Sequence, residues 1–93
     1  MEFEWDEDKN ESNLAKHGID FEEASRVFLD PWRQEWLDDR DYTEERWQTI
    51  GVATFPRVLF VVYTERGEGD VIRIISARKA TKREEKAYRR SRI

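Results

Sequence analysis

Ninety-three residues suffice for one hydrophobic core and not for two, so a single domain spanning residues 1–93 is expected. With 41% charged residues, no cysteine and a single histidine, the chain excludes a disulfide framework and argues against a structural zinc site. Neither the acidic opening MEFEWDEDKN nor the longest apolar run, Val58 to Tyr63, suits a secretory signal or a membrane span, so a cytoplasmic protein without membrane attachment is expected.

Residues 2–5 (EFEW) alternate polar and apolar, which predicts a short strand with Phe3 and Trp5 on one face. Residues 6–17 then read as a helix, acidic at its start and closing on Lys16 and His17 before Gly18, a residue suited to the left-handed turn after a helix. Asp20 and Glu23 form a cap-like pair. They open a second helix with the apolar stripe Phe21, Ala24, Val27 and Phe28, stopped by Asp30-Pro31.

Four strands are expected next: Gln34–Leu37, Arg46–Ala53, Val58–Thr64 and Val71–Ala77. Their connections are short enough for antiparallel hairpins. Val58–Thr64 is apolar on both faces, the mark of a central strand. Thr81 and Glu84 then make a capping box for a last helix running to about Ser91, with Ala87, Tyr88 and Ile93 as its sparse apolar content.

Charge is divided along the chain. Residues 1–45 carry sixteen acids and five bases, whereas residues 46–93 carry five acids and twelve bases. Such a bipolar molecule can offer one face to a polyanion and another to a basic partner, unless the two halves simply neutralise each other in the fold. Trp5 and Trp47 fall in strand-like alternation and are expected in the core. Trp32 and Trp36, in the acidic neighbourhood PWRQEWLDD, suit contact with a protein better than with a polyanion.

FEWDEDKNESNLAKHGIDFEEASRVFLDP (3–31), ERWQTIG (45–51), LFVVYTER (59–66) and VIRIISARKATKREEKAY (71–88) resemble, in this order, the BrnT toxins of type II toxin–antitoxin systems. The resemblance implies an α+β, RelE-like fold: an antiparallel meander sheet with two N-terminal helices and one C-terminal helix. It also implies ribonuclease activity that inhibits translation, and neutralisation by a BrnA-like antitoxin. Two toxins would join through an antitoxin dimer, and DNA would be contacted only through the antitoxin.

RNA can be cut without a metal or other cofactor when its 2′-hydroxyl attacks the adjacent phosphate, a reaction that needs a base, an acid and cations on the phosphorane. The expected catalytic set is His17, Arg73, Arg78, Glu84 and Tyr88. Arg73 interrupts VIRII and Arg78 ends that strand, and guanidinium suits a bidentate grip on phosphate. His17 is the only imidazole, the side chain that exchanges protons near neutral pH. Glu84 and Tyr88 share a helix face and offer an acceptor and a donor. Lys16, Arg66, Lys79, Lys82 and Arg83 are expected to bind RNA phosphates. Trp32, Trp36, Asp38, Asp39 and Asp41 are expected to face the antitoxin. Each residue also has a structural alternative: an internal ion pair for the arginines, a helix end for His17, a cap for Glu84 and a docking contact for Tyr88. On those alternatives the chain is a non-catalytic RelE-like binding module, or an interaction subunit without RNA contact.

Overall fold

The computed structural model describes residues 1–40 and 44–92; Asp41 and Ile93, both singled out above, lie outside the described residues. The elements run β1 (Glu2–Glu4), α1 (Glu7–His17), α2 (Phe21–Ser25), a 3-10 turn (Arg26–Leu29), β2 (Gln34–Leu37), β3 (Trp47–Thr54), β4 (Arg57–Arg66), β5 (Val71–Lys79) and α3 (Lys82–Ser91). This is an α+β chain built on a five-stranded sheet of order β1-β5-β4-β3-β2.

The helix ends follow from their capping chemistry. Asp6 accepts the amides of Asp8 and Lys9 and starts α1, and Gly18, at φ 71°, ends it in the left-handed region. Asp20 accepts the Glu23 amide at the start of α2. Thr81 and Glu84 complete a reciprocal capping box on α3. The expected second helix is split, however: α2 lasts five residues and tightens into the 3-10 turn. An apolar spacing of 21, 24, 27 and 28 is compatible with either winding.

β2 to β5 form the expected antiparallel meander, with β4 central. The sheet as a whole is mixed rather than antiparallel, because β1 adds to β5 in parallel, Glu2–Glu4 against Val71–Arg73. A three-residue strand carries too little pattern to announce its partner or direction. One face of the sheet packs against α2 and the 3-10 turn, while α1 lies against the edge of β5. Its core is Ile19, Phe21, Ala24, Val27 and Phe28 against Leu59, Val61, Tyr63, Ile72, Ile74 and Ala77, with Phe3, Trp5 and Trp47 packed at its margin. Gly51 permits the 3-10 turn to come close: a Cβ there would meet Val27 Cγ1 and Asp30 Oδ2, each at 3.0 Å.

The opposite face is only partly covered. Tyr88 of α3, with Ala80, packs on Ile50, Val52 and Val58. Ala87, expected to help dock this helix, is exposed. The rest of that face, between α3 and the C-terminal end of α1, is open and holds the cleft described next.

Candidate active site

Alternation along the strands decides which side chains reach the open face. Leu59, Val61 and Tyr63 of β4 enter the core, so Phe60 and Val62 point the other way. Phe60 pairs with Arg78 on β5, Val62 with Ser76 on β5 and Gln48 on β3. Because Tyr63 pairs with Ile74, one extra residue is accommodated in β5 between Ile74 and Ser76. These side chains floor a cleft of about 380 Å³, closed on one side by His17 and on another by Arg40.

His17 reaches the cleft because α1 lies along the part of β5 whose outer edge, the one away from β4, has no strand neighbour. β1 covers only Val71–Arg73. Beyond it, the Asn13 side chain takes the place of a strand, accepting the Ala77 amide at 3.1 Å and donating to the Ala77 carbonyl at 2.8 Å. A second donation to the Ile19 carbonyl, at 2.9 Å, fixes the turn that follows His17. The helix end is thereby pinned to the strand that carries Arg78.

Two guanidiniums are built into the walls. Arg78 lies 4.1 Å above the Phe60 ring and donates twice to Glu84, at 2.8 and 3.0 Å. The Arg78 hydrogen bonds hold the Glu84 carboxyl down at about 2, and Glu84 in turn raises the Arg78 pKa. Arg40 is gripped by Asp38, with Nη2 2.7 Å from the carboxylate. The Gln48 amide donates to the same carboxylate at 3.2 Å and accepts from the Trp36 indole. Arg40 thereby holds the Asp38 carboxyl at about 2, well below the ordinary aspartate range. The arrangement places one imidazole and two guanidiniums around a single opening, which is the equipment for proton transfer beside an anion.

A family model for the ribonuclease toxin BrnT, of type II toxin–antitoxin systems, matches residues 5–84. The chain belongs to the BrnT family. The matched span contains His17, Arg40, Gln48 and Arg78 and ends at Glu84, before Tyr88. The 1.1 Å crystal structure of the Brucella abortus ribonuclease toxin, BrnT, is similar, with a TM-score of 0.67 and 28% identity over 88% of this chain and 99% of that one. Comparison with curated proteins gives no match.

In this BrnT-family chain the expected catalytic residues divide between places. His17, Arg78 and Glu84 come together at the cleft. Arg73 shares the face of Arg78 but lies five positions back along β5, roughly 13 Å away once the extra residue is allowed for. There it stands 3.6 Å from Glu4, which also receives Arg66 at 2.6 Å. The two arginines of the last strand therefore do not converge on one point. Tyr88 is 1% exposed, and its hydroxyl donates to Asp30. Burial, reinforced by the neighbouring Asp30, pushes its pKa up to about 12. It is a docking residue of α3, away from the cleft.

Lys16 lines a neighbouring groove together with His17 and Ser76, and Lys79, Lys82 and Arg83 are exposed around the start of α3. The acidic aromatic set also separates. Trp32 is half exposed beneath Arg92, Trp36 abuts Phe60 beside the cleft, and Asp38 is buried in the cleft wall. Only Asp39 is an exposed acid of the described part of that set. Sequence reading missed Asn13, Arg40 and Gln48. Arg40 follows two acids in a polar loop, and nothing in the periodicity of such a loop distinguishes a cleft residue from a solvated one.

Proposed function

We propose that the cleft between His17, Arg40 and Arg78 is the cleavage centre of a metal-independent endoribonuclease. The observation that carries this reading is the meeting of His17 and Arg78, from distant parts of the chain, at one opening on an otherwise uncovered sheet face. RNA is the substrate that a family of ribonuclease toxins implies, and its 2′-hydroxyl supplies the nucleophile. That oxygen loses its proton and attacks the adjacent phosphorus, and the bond to the 5′-oxygen breaks as that oxygen gains a proton. The products are a 2′,3′-cyclic phosphate end and a 5′-hydroxyl end.

Arg78 and Arg40 neutralise the phosphorane. A guanidinium has five N–H donors, so Arg78, which already holds Glu84, keeps capacity for a phosphate oxygen. His17 exchanges protons with one of the two reacting oxygens. Glu84 and Asp38 position the two arginines. In this reading the cleft cations supply the charge that a metal would otherwise bring.

In the cell this activity would inhibit translation from the cytoplasm and be restrained by a BrnA-like antitoxin, two toxins with one antitoxin dimer, on a body of RelE type. Incubation of antitoxin-free protein with a defined RNA in EDTA tests the chemistry. Cleavage with cyclic phosphate ends is expected; inactivity in EDTA that magnesium restores would overturn it.

A further inference from the structure

Displaced from the cleft toward the C-terminal end of α3 lies a second concavity of about 330 Å³, sharing no lining residue with the first. Glu84 turns toward the cleft, whereas Tyr88 and Arg92, one and two turns further along α3, border the second concavity. Its walls are Leu29 at the end of the 3-10 turn, Trp32, and Phe55 at the β3–β4 hairpin, with relative exposures of 81%, 51% and 76%. Three large apolar side chains left this open around one hollow are not accounted for by the fold, whose core is complete without them.

The electrostatics of the hollow select its occupant. Arg26 and Arg92 stand at the rim. The single acid in the wall, Asp30, is spent internally: its carboxylate accepts the Trp32 and Val52 amides, both at 2.8–2.9 Å, and the Tyr88 hydroxyl. An entering group thus meets an apolar interior and a cationic rim, of which Arg92 lies over the Trp32 ring and Arg26 is exposed. Trp32 and Phe55 could stack a base, but Leu29, Val52 and Ala53 offer nothing to its polar edges, so RNA is the less favoured occupant. A bulky apolar side chain flanked by carboxylates fits well.

We propose that this hollow is where the antitoxin docks, through a segment that inserts a large apolar side chain between Leu29, Trp32 and Phe55 and sets its flanking carboxylates against Arg26 and Arg92. The assignment rests on the toxin–antitoxin reading of the chain and moves the docking face away from the acidic loop after β2. Inhibition would then not require the antitoxin's anchor to enter the cleft.

The test uses the full-length toxin and its own antitoxin, with Leu29→Glu and Phe55→Glu as separate variants; both side chains are exposed, so both variants should fold. Loss of an anchor contact at an interface centre weakens binding by about 30-fold or more, and that loss is expected from calorimetric titration with each variant. Cleavage of a defined RNA by each free variant should stay within about twofold of the parent. Arg26→Glu should weaken antitoxin binding further at low salt than at high salt. Unchanged antitoxin affinity in both glutamate variants would overturn the proposal. So would loss of RNA cleavage with antitoxin binding intact, which would make the hollow part of the RNA path, or a parental toxin dimer that Leu29→Glu converts to monomer. If the parent cleaves no RNA while the variants still lose the antitoxin, the docking site stands and the ribonuclease reading fails.

Discussion

His17 and Tyr88 mark the two outcomes open to a reactive side chain in this chain. Both can move a proton, yet one borders an open cleft and the other is sealed against Asp30 under α3. Their replacement should therefore separate activity from stability. His17→Ala is expected to lower RNA cleavage by roughly 10²- to 10⁴-fold, the usual worth of acid–base assistance, with little change in thermal midpoint. Tyr88→Phe should leave cleavage by the folded protein near the parental rate while costing about 1–3 kcal/mol, because a buried carboxylate loses a donor. Urea denaturation and a cleavage assay on the same preparations decide this, and a Tyr88→Phe protein that is stable but inactive would move the centre of chemistry out of the cleft and along α3. The sequence could name both residues by their chemistry, but their fates depend on burial, which one residue type does not encode. Asp30 shows the same limit: it reads as a helix stop before Pro31, and in the fold it also satisfies the Val52 amide and anchors Tyr88.

At the level of elements, local chemistry was legible and long-range pairing was not. The caps Asp20 and Thr81 and the Gly18 terminus act within a few residues of themselves, so their sequence signatures survive into the structure, whereas Asp6, read as part of the first turn, proves to be the cap of α1. The parallel pairing of β1 with β5, and the replacement of a strand by Asn13, depend on chain segments about sixty residues apart and leave no local periodicity. The cleft inherits that blindness, since it exists only because α1 substitutes for a strand beside Ala77. α3 gives an element-scale prediction. Glu84 joins its capping box to Arg78 and has a pKa depressed to about 2 by that pairing. A depressed folded-state pKa means that the stabilisation is complete above the unfolded carboxylate value and disappears as pH falls toward 2. With partial exposure of both partners, its worth is of order 1–2 kcal/mol. Glu84→Gln should accordingly lower stability at pH 7 and flatten the loss of stability between about pH 5 and pH 2, a slope to be read from denaturation midpoints at each pH. An unaltered acid slope would show that the ion pair contributes nothing to holding α3 in place.

Across the whole molecule, the division of charge between the two halves of the sequence is partly cancelled by folding. Arg57 pairs with Glu23, and Arg66 and Arg73 share Glu4, so three bases of the second half are met by acids of the first. What survives around α3 includes an outward-facing cationic stripe of Lys79 at the end of β5 and Lys82, Arg83, Lys86 and Arg90 on α3, all exposed. This stripe begins beside Arg78 and continues past the cleft, a position from which it can follow an RNA backbone without contacting the scissile bond. Each phosphate neutralised on a single strand releases counterions equivalent to a slope of about −0.7 in log K against log salt. Joint replacement of Lys82 and Arg83 by alanine should thus make the salt dependence of RNA binding shallower by roughly 1.4, by the same amount for unrelated sequences, because phosphates carry no base information. The rate of cleavage at saturating RNA should stay close to parental, since neither side chain borders the cleft. A fall in that saturated rate with the salt slope unchanged would place the two residues in the chemistry and remove the stripe as the RNA track.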